Sequence, residues 1–347
     1  MQFRNVCLRK FGYELPPNVL SSAEIETRLA EVYERLKLPA GRLELMSGIT
    51  ERRFWDMGTR PSDGAVLAGR KALASSGVDA SEIECLFFTG VSRDMMEPAT
   101  ASFVHSQLGL SQKCLIFDIS NACLGFLNGM LMLANMIESG QVRKGLIVSG
   151  ETAENLLDST IDALLADHSI TRKSIKPSFA SLTIGSGAVA LVMSACEEAD
   201  SDCALHGGVW RANTSYNYLC RGDNAAGNGT LMATDAEELL VRGVETAKET
   251  WQDFLQEMQW SPESIAAFFC HQVGNAHARL LFETLGLDSA GNFQTLPFLG
   301  NIGSVSAPIT MAIGIEKGVL QPGDRAAMLG IGSGINCLML GFECVRA

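Results

Sequence analysis

The chain has 347 residues, 47% of them hydrophobic and 19% charged, with a formal charge of −12 at pH 7. That much apolar material builds a large core and excludes a disordered polymer. An acidic balance without any run of Lys and Arg excludes nucleic-acid binding as the main task of the chain.

The opening MQFRNVCLRKFGYELPP carries a charge every few residues and no apolar stretch of the signal-peptide kind. No apolar run reaches the roughly 20 residues of a membrane helix, so a cytoplasmic protein is expected. The first 75 residues read as a starter strand, an amphipathic helix over 22–36 and loops. An alternation of strands and helices follows. IECLFFTGV (83–91) is a buried strand, 98–110 a helix, KCLIFDIS (113–120) a strand, and 122–140 a long apolar helix. KGLIVSGE (144–151) is a strand, and 181–194 is a pair of strand halves around glycines.

The second half repeats the plan. IAAFFCHQV (265–273) is a strand and 275–287 a helix; a short segment at 293–301 leads into an apolar helix over 303–320. Residues 325–344 pair two strands around glycines. Val91 precedes Cys123 by 32 residues, and Val273 precedes Val305 by the same 32. The helices at 122–140 and 303–320 are apolar nearly all round, the mark of burial. Two like βα halves around two central helices imply an α/β fold, a layered α/β/α/β/α sandwich of duplicated halves. The halves are taken as 1–195, carrying Cys123 and Glu97, and 196–347, carrying His271 and Asn301.

The ten cysteines are scattered with no C-x-x-C pair. Neither a zinc site nor a disulfide framework is expected, and a small buried hydrophobe is the reading for nearly all of them. Cys123 differs. It follows a strand end and stands at the predicted first turn of a long helix, where free N–H groups and the dipole lower a thiol pKa and can hold an oxyanion. The alternative is that it simply packs beneath the helix start. His271 ends a buried strand, where ligand sites of α/β sheets gather, or else is an ordinary turn histidine. His277 falls on a helix and reads as surface. Asn301 precedes the second buried helix, as a site residue or as its N-cap. Glu97, directly before Pro98, suits the first helical position and the helix dipole. The runs GSG (185–187) and GIGSG (330–334) lack the context of a phosphate or dinucleotide loop. They read as tight turns with close backbone approach.

NACLGF around Cys123, HQVGN at 271–275, GNIGSVSAP at 300–308 and the closing GIGSG resemble the β-ketoacyl-ACP synthase III branch of the thiolase superfamily, over nearly the whole chain and in order. The resemblance implies a five-layered fold, a homodimer, and ping-pong chemistry through an acyl-cysteine at Cys123 with His271 and Asn301 beside it. By the same likeness the N–H of Ser333 joins that of Cys123 as oxyanion hole. GITERRFWD, SRDMMEPATASFVH and YLCRGD…MATDAEELL are similar to OleA-type enzymes, which join two acyl-CoA molecules head to head. In those enzymes a glutamate lies 26 residues before the nucleophile and reaches across the dimer; Glu97 stands 26 residues before Cys123. HQVGN is one residue longer than the usual HQ-x-N motif, so Asn275 is not carried over. Arg53 and Trp55 are implied CoA contacts or else packing residues.

A thioester α-proton is weakly acidic, so joining two simple acyl-CoAs requires a base. Glu97 in an apolar pocket would serve. The expected reaction is a non-decarboxylative Claisen condensation giving a β-keto acid, with coenzyme A thioesters as substrates and no cofactor or metal. The alternative is decarboxylative condensation of acyl-CoA with malonyl-ACP, with an acyl carrier protein as partner. A third reading is a non-catalytic or ester-forming subunit of a biosynthetic complex.

Overall fold

The computed structural model describes residues 1–196, 202–225 and 229–344. One nine-stranded sheet runs through it. Its strands are β1 (Cys7–Glu14), β2 (Cys85–Thr89), β3 (Leu115–Ile119), β4 (Lys144–Glu151), β5 (Gly187–Ser194), β6 (Cys203–Ala212), β7 (Ile265–Cys270), β8 (Arg325–Gly332) and β9 (Asn336–Cys344). Their order across the sheet is β7-β8-β9-β6-β1-β5-β4-β2-β3. β2 is parallel to β3 and β4, and β7 is parallel to β8; the other pairs are antiparallel. The main helices are α1 (Pro61–Ser76), α2 (Thr100–Leu108), α3 (Gly125–Glu138), α4 (Glu154–Ala166), α5 (Ala236–Met258), α6 (Asn275–Leu285) and α7 (Ser306–Glu316).

Side-chain alternation along the strands builds the layers. On β2, Cys85 and Phe87 face a core shared with α3 and α7, while Leu86 and Phe88 face α1 and α2. On β7, Ala267 and Phe269 join the same central core, while Phe268 and Cys270 face α5 and α6. The two limbs of the sheet therefore clasp α3 and α7 between them, with other helices outside. This is the thiolase-like five-layered α/β/α/β/α sandwich. Strands that bury both faces need apolar side chains at every position, and CLFFT of β2 is buried throughout.

Several elements differ from expectation. The helix expected over 22–36 is two, Ser22–Arg28 and Ala30–Leu36, broken at Leu29, where the backbone leaves helical geometry. Residues 181–194 hold one strand only, Gly187–Ser194, preceded by a 3₁₀ turn over Ala180–Thr183. The close approach expected there is present: a Cβ on Gly185 would stand 2.5 Å from the Leu299 carbonyl oxygen. Cys7 and Cys196 form a disulfide, contrary to the sequence reading. The partners are 189 residues apart, and only the pairing of β1 with β5 brings them together, so spacing carries no hint of the bond.

Candidate active site

The site gathers where β3, β7 and β8 end and α3 and α7 begin. Cys123 does not lie in the first turn of its helix, as the sequence suggested; Leu124 is the N-cap and the helix begins at Gly125. Cys123 stands on the turn before it. Ala122 takes a left-handed φ of 45°, a conformation that non-glycine residues hold only under surrounding constraint. Part of that constraint comes from β8, whose glycines admit the turn. A Cβ on Gly330 would stand 2.5 Å from a Leu124 methyl, and one on Gly332 3.7 Å from the Cys123 Cβ.

Three asparagines fasten this turn to the segment carrying Ser333. Asn121 donates to Asn128 at 2.8 Å, and Asn336 donates to Asn121 at 3.3 Å and to the Ser333 carbonyl at 3.0 Å. The backbone N–H groups of Cys123 and Ser333 both face the Cys123 sulfur and favour its charged form. Burial outweighs them and pushes the Cys123 thiol up to about 12, with Cys220 and Glu151 adding to the rise. The sequence reading of a lowered thiol pKa is therefore reversed. A few N–H dipoles at a chain turn do not offset the loss of water around a buried anion.

His271 follows the last residue of β7, and its N–H donates to the Leu329 carbonyl of β8 at 2.9 Å. Gln272 clamps the neighbouring chain, donating to Phe293 O at 3.0 Å and accepting from the N–H groups of Thr295 and Leu296 at 2.9 and 2.6 Å. His277, expected at the surface, is half-buried. From the first turn of α6 it lines one small cavity with His271. Burial drives His271 down to about 3, with His277 adding to the drop, and drives His277 down to about 4. Both imidazoles are neutral at pH 7, and so is the Cys123 thiol.

This has a consequence for stability. The folded values lie below the ordinary 6.5, so on acidification the unfolded chain takes up these protons first. Their contribution is complete above about pH 6.5 and drains away as pH falls toward 4. Melting curves at pH 7, 6 and 5 should fall more steeply for the native chain than for His277→Gln. Parallel slopes would remove this account of His277.

Asn301 is held at both backbone groups, donating to Thr183 O at 3.0 Å and accepting from Gly185 N at 2.9 Å. Its Oδ1 accepts from Gly303 N at 3.1 Å. The capping alternative is thus half realised, and it leaves the amide nitrogen as the group free to donate.

Glu97 is exposed on the loop between β2 and α2 and does not open the helix. Asp118 of β3 takes that part, accepting from Thr100 N at 2.7 Å and Ala101 N at 2.8 Å. The carboxylate that faces Cys123 is Glu151, the last residue of β4, which the sequence reading passed over. The closing SGE of KGLIVSGE, a charge ending a strand buried from Gly145 onward, is the available signal.

Trp55 is a packing residue. It is 7% exposed in the core beside α1, and its indole N–H donates to the Glu151 carbonyl at 3.1 Å. Arg53 is half-buried and donates to Pro16 O at 3.1 Å.

Family models for 3-oxoacyl-[acyl-carrier-protein] synthase III match residues 117–207, and its C-terminal part residues 255–342. An acyl-CoA:acyl-CoA alkyltransferase of Shewanella oneidensis is 42% identical across 99% of this chain and 100% of its own length. The chain belongs to the ketoacyl synthase III family, in its OleA branch. As a member it is a condensing acyltransferase. OleA of Xanthomonas campestris superposes with a TM-score of 0.94 at 38% identity, covering 99% of this chain and 98% of that one. A structure described as 3-oxoacyl-(acyl carrier protein) synthase III of Xanthomonas oryzae superposes at 0.93, also at 38% identity, covering 99% and 100%. Solved variants of the X. campestris OleA replace a cysteine, a histidine and a glutamate, and one cysteine variant holds lauric acid and lauroyl-CoA. In that chain the replaced glutamate precedes the replaced cysteine by 26 residues, the separation of Glu97 from Cys123.

Proposed function

We propose that this chain joins two acyl-CoA thioesters by non-decarboxylative Claisen condensation. Cys123 attacks the first thioester, its proton passes to a base, and CoA leaves as the thiol. The N–H groups of Cys123 and Ser333 hold the oxyanion. Glu97 then removes the α-proton of the second acyl-CoA while His271 and the Asn301 amide stabilise the enolate oxygen. The α-carbon attacks the acyl-cysteine carbonyl, a C–C bond forms, and the Cys123 sulfur departs. Hydrolysis of the product thioester gives the β-keto acid.

The observation that carries this over the decarboxylative reading is Glu97 itself. Asp118 performs the capping that would otherwise explain a carboxylate there, and decarboxylation of malonyl-ACP requires no such base. The exposure of Glu97 is consistent with action in a partner's site. Edge strand β3 with Leu115, and the loop with Val91 and Met96 at 57% and 88% exposure, offer an apolar seam for a homodimer. The division at 195/196 and a cytoplasmic location belong to the same reading. A coenzyme contact is proposed for Arg53 and not for the packed Trp55. No helix among the described residues is long and apolar enough to cross a membrane.

Mass spectrometry of products from one long-chain acyl-CoA, with and without malonyl-ACP, tests the proposal. Product from acyl-CoA alone supports it; product that requires malonyl-ACP places the ketosynthase III reading first, which the X. oryzae likeness favours. Within either reaction His271→Ala and Asn301→Ala should each slow condensation by on the order of a hundredfold, the effect of losing one oxyanion donor. Acylation of Cys123 should be far less affected. Equal loss in both half-reactions, read by mass labelling of Cys123 and by product, would assign the two residues to structure instead.

A further inference from the structure

Glu151 is 5% exposed, and every partner of its carboxylate is a backbone group or a serine. Oε1 accepts from Val91 N at 2.9 Å and Ser304 N at 3.3 Å, and Oε2 accepts from Ser92 N at 2.9 Å. Glycines let both loops close on it: a Cβ on Gly90 or Gly303 would stand 3.2 or 3.3 Å from Oε1. Ser304 extends the connection, its Oγ accepting from Phe126 N at 3.0 Å in the first turn of α3. One carboxylate thus joins the loop that leads to Glu97, the turn that follows Asn301 and the helix that follows Cys123. A buried carboxylate without a cationic partner is costly, and apolar packing would hold a strand end more cheaply.

We propose that Glu151 is a positioning residue for the condensation, fixing the Glu97 loop, the Asn301 turn and the start of the Cys123 helix in one frame. The proposal rests on the reading given above for the roles of those three residues. Three N–H groups converge on two oxygens, and glutamine would offer one oxygen and a donor in place of the other. Glu151→Gln therefore breaks the frame at one loop, and it also removes an ionisable carboxyl, whose pKa burial raises. The titratable groups facing Cys123 are Glu151 from β4 and Cys220 from the Cys220–Ala225 strand.

Three variants test this, Glu151→Gln, Glu151→Asp and Ser304→Ala. In each, condensation should fall by about tenfold to a hundredfold relative to Cys123 acylation, the scale of a small misplacement of reacting groups. The pH profile of Cys123 alkylation by iodoacetamide should move to lower pH in Glu151→Gln alone. Aspartate keeps the carboxyl and shortens the reach, and Ser304→Ala cuts only the link to α3. A merely structural Glu151 would lower melting temperature and both half-reactions together, leaving the alkylation profile in place; that result overturns the proposal. If Glu151→Gln does not fold, an unchanged ratio of condensation to acylation in both other variants overturns it equally. A native chain that forms nothing from acyl-CoA alone removes the acyl-CoA reading, and the ratio is then taken with malonyl-ACP as second substrate.

Discussion

Cys123→Ala is expected to abolish the single acyl adduct that acyl-CoA leaves on the native chain, and with it all product. The sulfur is the only nucleophile on the turn before α3, with two backbone N–H groups aimed at it. The other cysteines do not share those donors. Cys85, Cys270 and Cys337 are buried, with thiols that burial pushes up to about 12. Intact-mass measurement after exposure to long-chain acyl-CoA should show one acyl group per chain in the native protein and none in the variant. Adduct persisting at the native rate in Cys123→Ala would move the covalent step elsewhere. The neutral resting thiol also sets an expectation for rate. Attack requires proton removal from a thiol rather than use of a standing thiolate.

Glu97→Gln should separate the two half-reactions. Acylation of Cys123 should continue at close to the native rate, while condensation and exchange of the substrate α-protons with deuterated water should fall by roughly a hundredfold to ten-thousandfold, the range for loss of a positioned base. Glutamine keeps the size and hydrogen bonding of the side chain, and Glu97 is exposed in the single chain, so packing loss contributes little. Helix capping contributes nothing either, since Asp118 and not Glu97 holds the first N–H groups of α2. A Glu97→Gln enzyme that condenses two acyl-CoAs normally would leave the decarboxylative reading in first place.

The sheet was largely legible in the sequence because strands buried on both faces leave unbroken apolar runs. KGLIVSGE coincides with β4 from first residue to last, and both central helices announced themselves by being apolar all round. Local punctuation was less readable. The break at Leu29 and the 3₁₀ turn at Ala180–Thr183 depend on what packs around them. Cys123, His271 and Asn301 were visible as residue types at element ends. The direction of the Cys123 shift was not, because the dipole is local and burial is a property of the whole fold. Glu151, Ser304 and the Asn121–Asn336 link act between segments far apart in sequence, and no spacing rule reaches them. The Cys7–Cys196 bond was hidden for the same reason. Glu97 drew its meaning from likeness to the OleA-type enzymes; by residue pattern alone it read as a helix start.

β1 comes before every other strand of the sheet in chain order, yet it lies in the middle of the sheet between β5 and β6. Its Leu8 faces Met193 on one side and Cys203 on the other. The N-terminal limb therefore cannot complete its sheet until residues past 190 have been synthesised, and the C-terminal limb must then dock on the same strand. Folding with such distant partners is slow. Amides of β1 and β6 should be the last to exchange with deuterium, opening only when the entire molecule opens. Because both limbs share this strand, neither has a melting transition of its own.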